Sequence, residues 1–436
     1  MWYNFVMPFA NFGDQILHYV IVFAENTWWF FLFLILFPLA RSAWFAWRHA
    51  FFLKKSKWTY LEMKIPREIL RSPRGMDQVF QSVHTLRNTP SDFQEKWWDG
   101  EHPRPFTFEM VSFGGEVHFY VRCYYRIRAL LEGAFYSAYP DVELLEVDDY
   151  MNRLPKTPTD AKALGYKIWG TEMVLKKPSM YPIKTYLEYE APDEAQQFDP
   201  ISVALETLAK VKKDEFLGIQ INAVPGDTEE WREEAMEDLE KLREPKILKS
   251  KDPTAFPLMV PKSPGQTDVI KAIEANLAKP VFDCKIRAFY MSPAAEFYDS
   301  FARRGFLGMF NQYAHSDMNS FGQNITMASA TRMWYFPYIL PSVRTKMREQ
   351  RIMQNYRTRS GYIHTFIGKL ISSHFFNWNF YSKGAQLNTE ALATIFHPPM
   401  QMVLTGPHTP RVESRKMGAP AGLPIYGDEG DIKEFQ

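Results

Sequence analysis

An α+β fold behind a single N-terminal transmembrane helix is what this chain predicts, on three observations. An uncharged aromatic run stands near the N-terminus, residues 58–150 alternate strand and helix patterns as β-α-β-β-α-β, and further strands and helices follow. The 436 residues exceed what one hydrophobic core usually organises. A hydrophobic share of 46% with 23% charge is a folding composition, which excludes general disorder. The units expected are an anchor segment over 1–57, a ferredoxin-like domain over 58–150 and a related α+β sandwich over 151–335. A helical segment over 336–400 and a Pro-rich acidic tail over 401–436 complete the chain.

Asn26 to Ala40 carries no charge and includes Trp28, Trp29, Phe30, Phe31, Leu32, Phe33, Leu34, Ile35, Leu36 and Phe37. Continued as a helix to Trp47, it sets the Trp28/Trp29 pair about 28 Å from the Trp44/Trp47 pair, close to the hydrocarbon thickness of about 30 Å. Each pair then forms an aromatic belt at one interface, and Arg41 snorkels to the headgroups. Asp14 and Glu25 precede the run, whereas Arg41, Arg48, Lys54, Lys55 and Lys57 follow it. By the positive-inside rule this predicts a single-pass protein of the inner membrane with its body in the cytoplasm. A signal peptide lacks its basic start here, and a buried core helix explains neither the Trp pairs nor the trailing cations. Met1 to Glu25 either lies along the outer interface or extends the helix.

Trp58 to Ile65 alternates as a strand stopped by Pro66, and Ser72-Pro73 opens a helix with Met76, Val79, Phe80, Val83 and Leu86 on one face. Phe106 to Phe113 and Val117 to Cys123 form a hairpin around Gly114-Gly115, because glycine permits the positive φ of a tight turn. Tyr125 to Tyr139 returns to helical spacing, and Val142 to Val147 closes the unit as a strand. Beyond it, Tyr166 to Leu175, Ile183 to Tyr189, Leu217 to Val224 and Val281 to Met291 read as strands. Pro200 to Val211, the charged Thr228 to Leu242, Gln266 to Leu277 and Pro293 to Phe310 read as helices. A Pro-rich excursion occupies 244–264, and Asn311 to Trp334 is irregular.

With 51 Lys+Arg against 50 Asp+Glu, no global field favours a polyanion, so a nucleic-acid partner needs a local patch. One basic strip offers it: Arg344, Lys346, Arg348, Arg351, Arg357 and Arg359, opposed by Glu349. Three readings stay open for this strip: an exposed connecting helix, a lipid- or protein-docking helix, and a phosphate-backbone contact. Gly361 to Tyr381, rich in aromatics, reads as core. Cys123 and Cys284 suit buried thiols in a reducing compartment. The histidines show no zinc-ligand spacing, and Glu143, Glu146, Asp148 and Asp149 read as solvent-facing strand-end charges. His397, before Pro398-Pro399, ends a helix capped by Asn388. No catalytic, cofactor or metal residue is assigned.

The stretch Trp58-Thr59-Tyr60-Leu61-Glu62-Met63-Lys64-Ile65-Pro66, followed by Ser72-Pro73-Arg74-Gly75-Met76-Asp77, resembles an uncharacterised domain of Patescibacteria proteins related to type IV secretion and conjugation. Phe108 to Gly115, Ala138 to Glu143, Trp169 to Glu172, Tyr181 to Tyr186 and Leu387 to Pro399 extend the likeness. In longer relatives this domain precedes a HerA/FtsK-type motor ATPase. Gly361 to Leu370 has neither the glycine spacing nor the hydroxyl of a phosphate-binding loop. The resemblance therefore implies a non-catalytic structural or docking component that partners a separately encoded motor, with oligomers allowed. A membrane-tethered nucleic-acid binder is the alternative.

Overall fold

Gly114 and Gly115, at φ +60° and +96°, form the two-residue turn between β2 (Phe106–Phe113) and β3 (Glu116–Tyr124). A computed structural model describes residues 3–66, 72–190, 198–244, 246–248, 258–260, 262–324, 328–329, 340–360, 384–400 and 411–412. Around this hairpin, β1 (Trp58–Pro66) pairs antiparallel with β3 on one side and β4 (Glu143–Glu146) on the other. The first half of the sheet therefore runs β4-β1-β3-β2, antiparallel throughout. Between its strands come α2 (Arg74–Thr85) and α3 (Arg128–Ala138), which pack on each other.

The second half uses β5 (Tyr166–Leu175), β6 (Phe216–Pro225), β9 (Val281–Pro293) and β10 (Phe321–Gln323). A small ribbon of β7 (Lys246–Leu248) and β8 (Leu258–Val260) interrupts the chain order. The main strands run β10-β5-β9-β6, again antiparallel. Leaving the ribbon aside, each half has the order fourth, first, third, second. The halves join through their second strands: β2 and β6 pair from Phe106↔Ala223 to Phe113↔Phe216. One sheet thus crosses residue 150, where the sequence pattern placed a domain boundary. That pattern could not see the joint, because the edges of β2 and β6 meet across about a hundred residues of chain.

Side chains alternate across the strands, so the sheet has two different faces. Phe108, Met110, Leu217, Ile219, Ile286 and Ala288 lie in the main core. α2, α3, α5 (Ser202–Ala209), α8 (Asp299–Asn311) and α10 (Thr389–Ile395) cover that face. The opposite face is sealed by α9 (Pro341–Thr358), whose Met353 and Tyr356 pack with Tyr150, Phe216 and Phe289. α4 (Pro158–Ala163) adds Ala161 there. α6 (Thr228–Arg243) is charged outside but buries Trp231, Ala235 and Leu239 against α7 (Pro264–Leu277).

Several expectations change. Ile183 to Tyr189 is no strand: it holds a short 3-10 turn over Tyr186–Glu188, because β9 and β10 already occupy both edges of β5. Pro293 ends β9 instead of opening a helix, and α8 starts at Asp299. The 336–400 segment is not helical throughout, since β11 (Ala385–Asn388) joins β9 before α10. Gly361 to Tyr381 and nearly all of 401–436 lie outside the described residues, apart from β12 (Arg411–Val412), which runs parallel to Ile65–Pro66.

Candidate membrane interface

α1 is one helix from Tyr3 to Lys55, about 80 Å long at 1.5 Å per residue. Met1 to Glu25 thus extends the helix from Tyr3 onward. Among the described residues it is the one helix long and apolar enough to cross a membrane, over Ile16–Lys55. Trp28, Trp29, Phe30, Phe31, Leu32, Phe33, Leu34, Ile35, Leu36 and Phe37 are all exposed, as are Trp44 and Trp47. A soluble protein rarely leaves so large a contiguous apolar surface uncovered. Three polar groups at the start of the stretch, on Asn26, Thr27 and Trp29, bond to the carbonyls of the helix itself. Asn26 Nδ2 donates to Val22 O at 2.7 Å, and Trp29 Nε1 to Asn26 O at 2.8 Å. Self-satisfaction of this kind is what hydrocarbon requires.

The lower end of α1 meets a loop that sequence patterning passed over. Ser91-Asp92-Phe93-Gln94-Glu95-Lys96-Trp97-Trp98 leads into a π-turn over Glu95–Asp99. Glu95 fastens it by accepting from Ser91 N at 2.8 Å and Ser91 Oγ at 2.9 Å, while its own N–H donates to Asp92 Oδ1. Trp44 Nε1 donates to Trp97 O at 2.8 Å, and Phe45 lies 4.3 Å from the Trp97 ring. Arg41, expected to reach headgroups, stands 5.7 Å over Trp97. The His49 and His102 rings lie 4.5 Å apart, tilted by 36°, and burial lowers the His102 imidazole pKa although Gly100 O opposes it. The available signal was a third Trp pair, Trp97-Trp98 beside Lys96, added to the two that flank the apolar run. A cleft of about 870 Å³ opens between α1 and the body near Pro38, Arg87, Asp227 and Glu234, so this loop supplies much of what orients α1.

The basic strip, by contrast, does not form one exposed face. Arg344, Arg348 and Arg359 are buried, Arg357 is half-buried, and Lys346 and Arg351 are exposed. Arg357 Nη1 donates to the carbonyls of Met151, Leu154 and Pro155 at 2.9–3.1 Å. Arg359 ends α9 in the left-handed region, at φ +51°, which a side chain other than glycine adopts only when its surroundings hold it there. Its guanidinium grips Glu109 on β2 and Asp149 with two bonds each. Burial alone lowers the Arg359 pKa, but the two carboxylates hold it well above the usual arginine value. Asp149, read from sequence as a solvent-facing charge, is a member of this network. Burial pushes its carboxyl up and Arg359 outweighs that, leaving it below the usual range.

Other charges on this face pair similarly. Arg287 Nε donates to Glu172 Oε1 at 2.7 Å, both fully buried. Gln220 Nε2 donates to Glu109 Oε1 at 2.6 Å and to Tyr356 O at 3.0 Å. On the main-core side, His397 was expected only to end a helix. It is buried, with Nε2 2.8 Å from Asp199 Oδ1 and Nδ1 2.7 Å from Ala393 O. Among the described residues, no group of three or more His, Cys, Asp or Glu is arranged to hold a metal ion.

The family described as Domain of unknown function (DUF8128) matches residues 52–365, more than half of the chain. The chain belongs to that family. The DUF8128 match starts at the foot of α1 and runs past α9, so it takes in the eight strands of the two joined halves, the 91–104 loop and the Arg359 network, while β11 and β12 lie beyond it. The apolar stretch of α1 precedes it. No curated protein matches the chain.

Proposed function

We propose that this chain is a single-pass, non-catalytic docking component of a type IV secretion- or conjugation-like machine in the inner membrane, its body in the cytoplasm beside a separately encoded HerA/FtsK-class ATPase. The observation carrying this reading is the exposed apolar surface of α1 fused to a folded body. Cations concentrated after Ala40 support the orientation, since residues 41–57 hold five Lys and Arg and no acid. The sequence likeness described above supports the machine class and the motor partner. We also read each half of the body as a ferredoxin-like sandwich, supported by the repeated antiparallel strand order with helices on one face. The nucleic-acid alternative loses support, because three of its six cations are buried.

Affinity capture of the detergent-solubilised chain from its native membrane, with and without residues 1–57, tests the reading. A HerA/FtsK-class ATPase recovered in both samples supports docking through the body. Recovery of nucleic acid and no ATPase overturns it.

A further inference from the structure

The 91–104 loop is packed and hydrogen-bonded against α1 and yet shows large aromatics to the outside. Gly100, at φ +69°, lets the loop close onto α1: a Cβ there would stand 2.6 Å from the Arg48 carbonyl carbon. Asn88 Nδ2 donates to Glu101 Oε1 at 2.6 Å, and Phe93 stacks on Trp97 at 5.5 Å. These restraints leave Phe93 72% exposed and Trp98 61% exposed. Trp98 lies 5.5 Å from Trp44, and Trp47 and Phe51 are exposed on α1 close by. The patch continues the apolar surface of α1 at the level of the lower Trp pair. Arg48 stands over the Trp47 and Phe51 rings at 5.3 and 5.6 Å and Lys96 is exposed in the loop, while the exposed Asp92 and Asp99 flank Phe93 and Trp98 in sequence, so the patch carries cations on the α1 side and both signs on the loop.

Indole and phenyl rings bordered by Arg and Lys suit the headgroup layer, where the ring leaves water and the cation meets phosphate. We propose that the 91–104 loop is a second membrane-contacting element. Phe93 and Trp98 enter the headgroup layer of an anionic phospholipid leaflet beside Trp47 and Phe51, and thereby hold the spanning helix at a set angle to the body. The inference rests on the membrane-anchored reading of α1. A second copy of the chain is the competing occupant, but residues 41–57 and 91–104 together hold seven Lys and Arg against four acids, Asp92, Glu95, Asp99 and Glu101, and this net positive charge favours an anionic surface over a like-charged copy.

The test uses the full chain in bilayers with and without phosphatidylglycerol. A spin label at Gln94→Cys reads depth from its accessibility to oxygen and to a water-soluble nickel chelate, and a label at Leu34→Cys reads the span. The native thiols stay unlabelled, because Cys123 and Cys284 are buried. Expected is a Leu34 label in hydrocarbon in both bilayers. The Gln94 label should lie at headgroup depth with phosphatidylglycerol and move to water when Phe93→Ser and Trp98→Ser are added. A Gln94 label in water under both compositions, with Leu34 still embedded, overturns the inference and leaves the anchor intact. Spin–spin broadening at Gln94 that unlabelled chain dilutes away assigns the patch to a second copy and also overturns it. A Leu34 label in water removes the anchor and the inference together.

Discussion

Arg359 and Glu109 meet as a two-pronged ion pair beneath α9, Nε to Oε1 at 2.9 Å and Nη2 to Oε2 at 3.1 Å, each side chain 1% exposed. Asp149 takes the other edge of the same guanidinium at 2.7 and 2.8 Å. Arg359→Met therefore strands two carboxylates, one of them fully desolvated, and should cost about 3–5 kcal/mol in urea unfolding. The double variant Glu109→Leu, Arg359→Met should recover part of that loss, because the fully buried charge goes with its partner. A single-variant cost below about 1 kcal/mol, typical of an exposed pair, contradicts the assignment.

Acid should weaken the fold through Asp149 and Asp199. Burial pushes both carboxyls up, but Arg359 in one case and His397 in the other hold them below their ordinary value. Backbone N–H groups of Met400 and Ile201 add to the second, at 2.8 and 2.9 Å. A depressed folded pKa gives stability that is complete above the unfolded value, about pH 4, and is lost as pH falls through the folded one. The urea midpoint, followed from neutral to strongly acid pH, should ease below about pH 6.5, where the unfolded chain takes up the protons that burial denies His84 and His102, and fall further below about pH 4 through the carboxyls. Asp199→Asn should remove part of that slope; an unchanged slope rules out the pair as a contributor.

Lys285 on β9 carries the opposite burden. Burial lowers its pKa from 10.5 to about 8, with Glu172 opposing, so the fold holds its charge at a cost. Lys285→Met should stabilise the chain at pH 7 by up to about 3 kcal/mol. The unfolded chain keeps the proton longer than the folded one, so the parent gains stability as pH rises from about 8. Denaturant unfolding between about pH 7.5 and pH 9.5, below the tyrosine range, should show the gap between variant and parent narrowing. A constant gap refutes the charge argument.

Gly218 on β6 sits under Tyr356, and a Cβ there would come within 1.9 Å of the tyrosine hydroxyl. Gly218→Ala must push α9 off the sheet and open the 3.0 Å contact between the Tyr150 and Tyr356 hydroxyls. Overpacking of this kind costs about 1–3 kcal/mol and should lower the melting temperature. Gly133→Ala on α3 meets nothing within 4 Å and should stabilise by about 0.5–1 kcal/mol, so calorimetry of the two variants separates crowding from a general glycine effect.

Much of the architecture was legible because its signals are local. The Gly114-Gly115 hairpin, the bounds of β5, the Asn388 cap whose Oδ1 accepts from Ala391 N at 2.8 Å, and the exposed run Trp28–Phe37 all follow from spacing within a dozen residues. Ile183 to Tyr189 failed because its apolar pattern reports burial, and Ile183 and Tyr186 are indeed buried, but it cannot report that the neighbouring strand edges are taken. The basic strip failed for a similar reason. Its acids, Glu109 and Asp149, lie more than two hundred residues away in the chain, so a local count of charge left Arg359 unmatched.

By itself the sequence determined that an uncharged aromatic helix leads into an α+β body with alternating strands, since hydrophobic periodicity and turn chemistry act over a few residues. Tertiary structure alone decided that β2 and β6 fuse the halves into one sheet. It also decided that Arg344, Arg348 and Arg359 go inside, and that Trp97 and Trp98 come to rest beside Trp44. Each of these depends on edges and charges far apart in the chain, which only packing brings within hydrogen-bond or van der Waals reach.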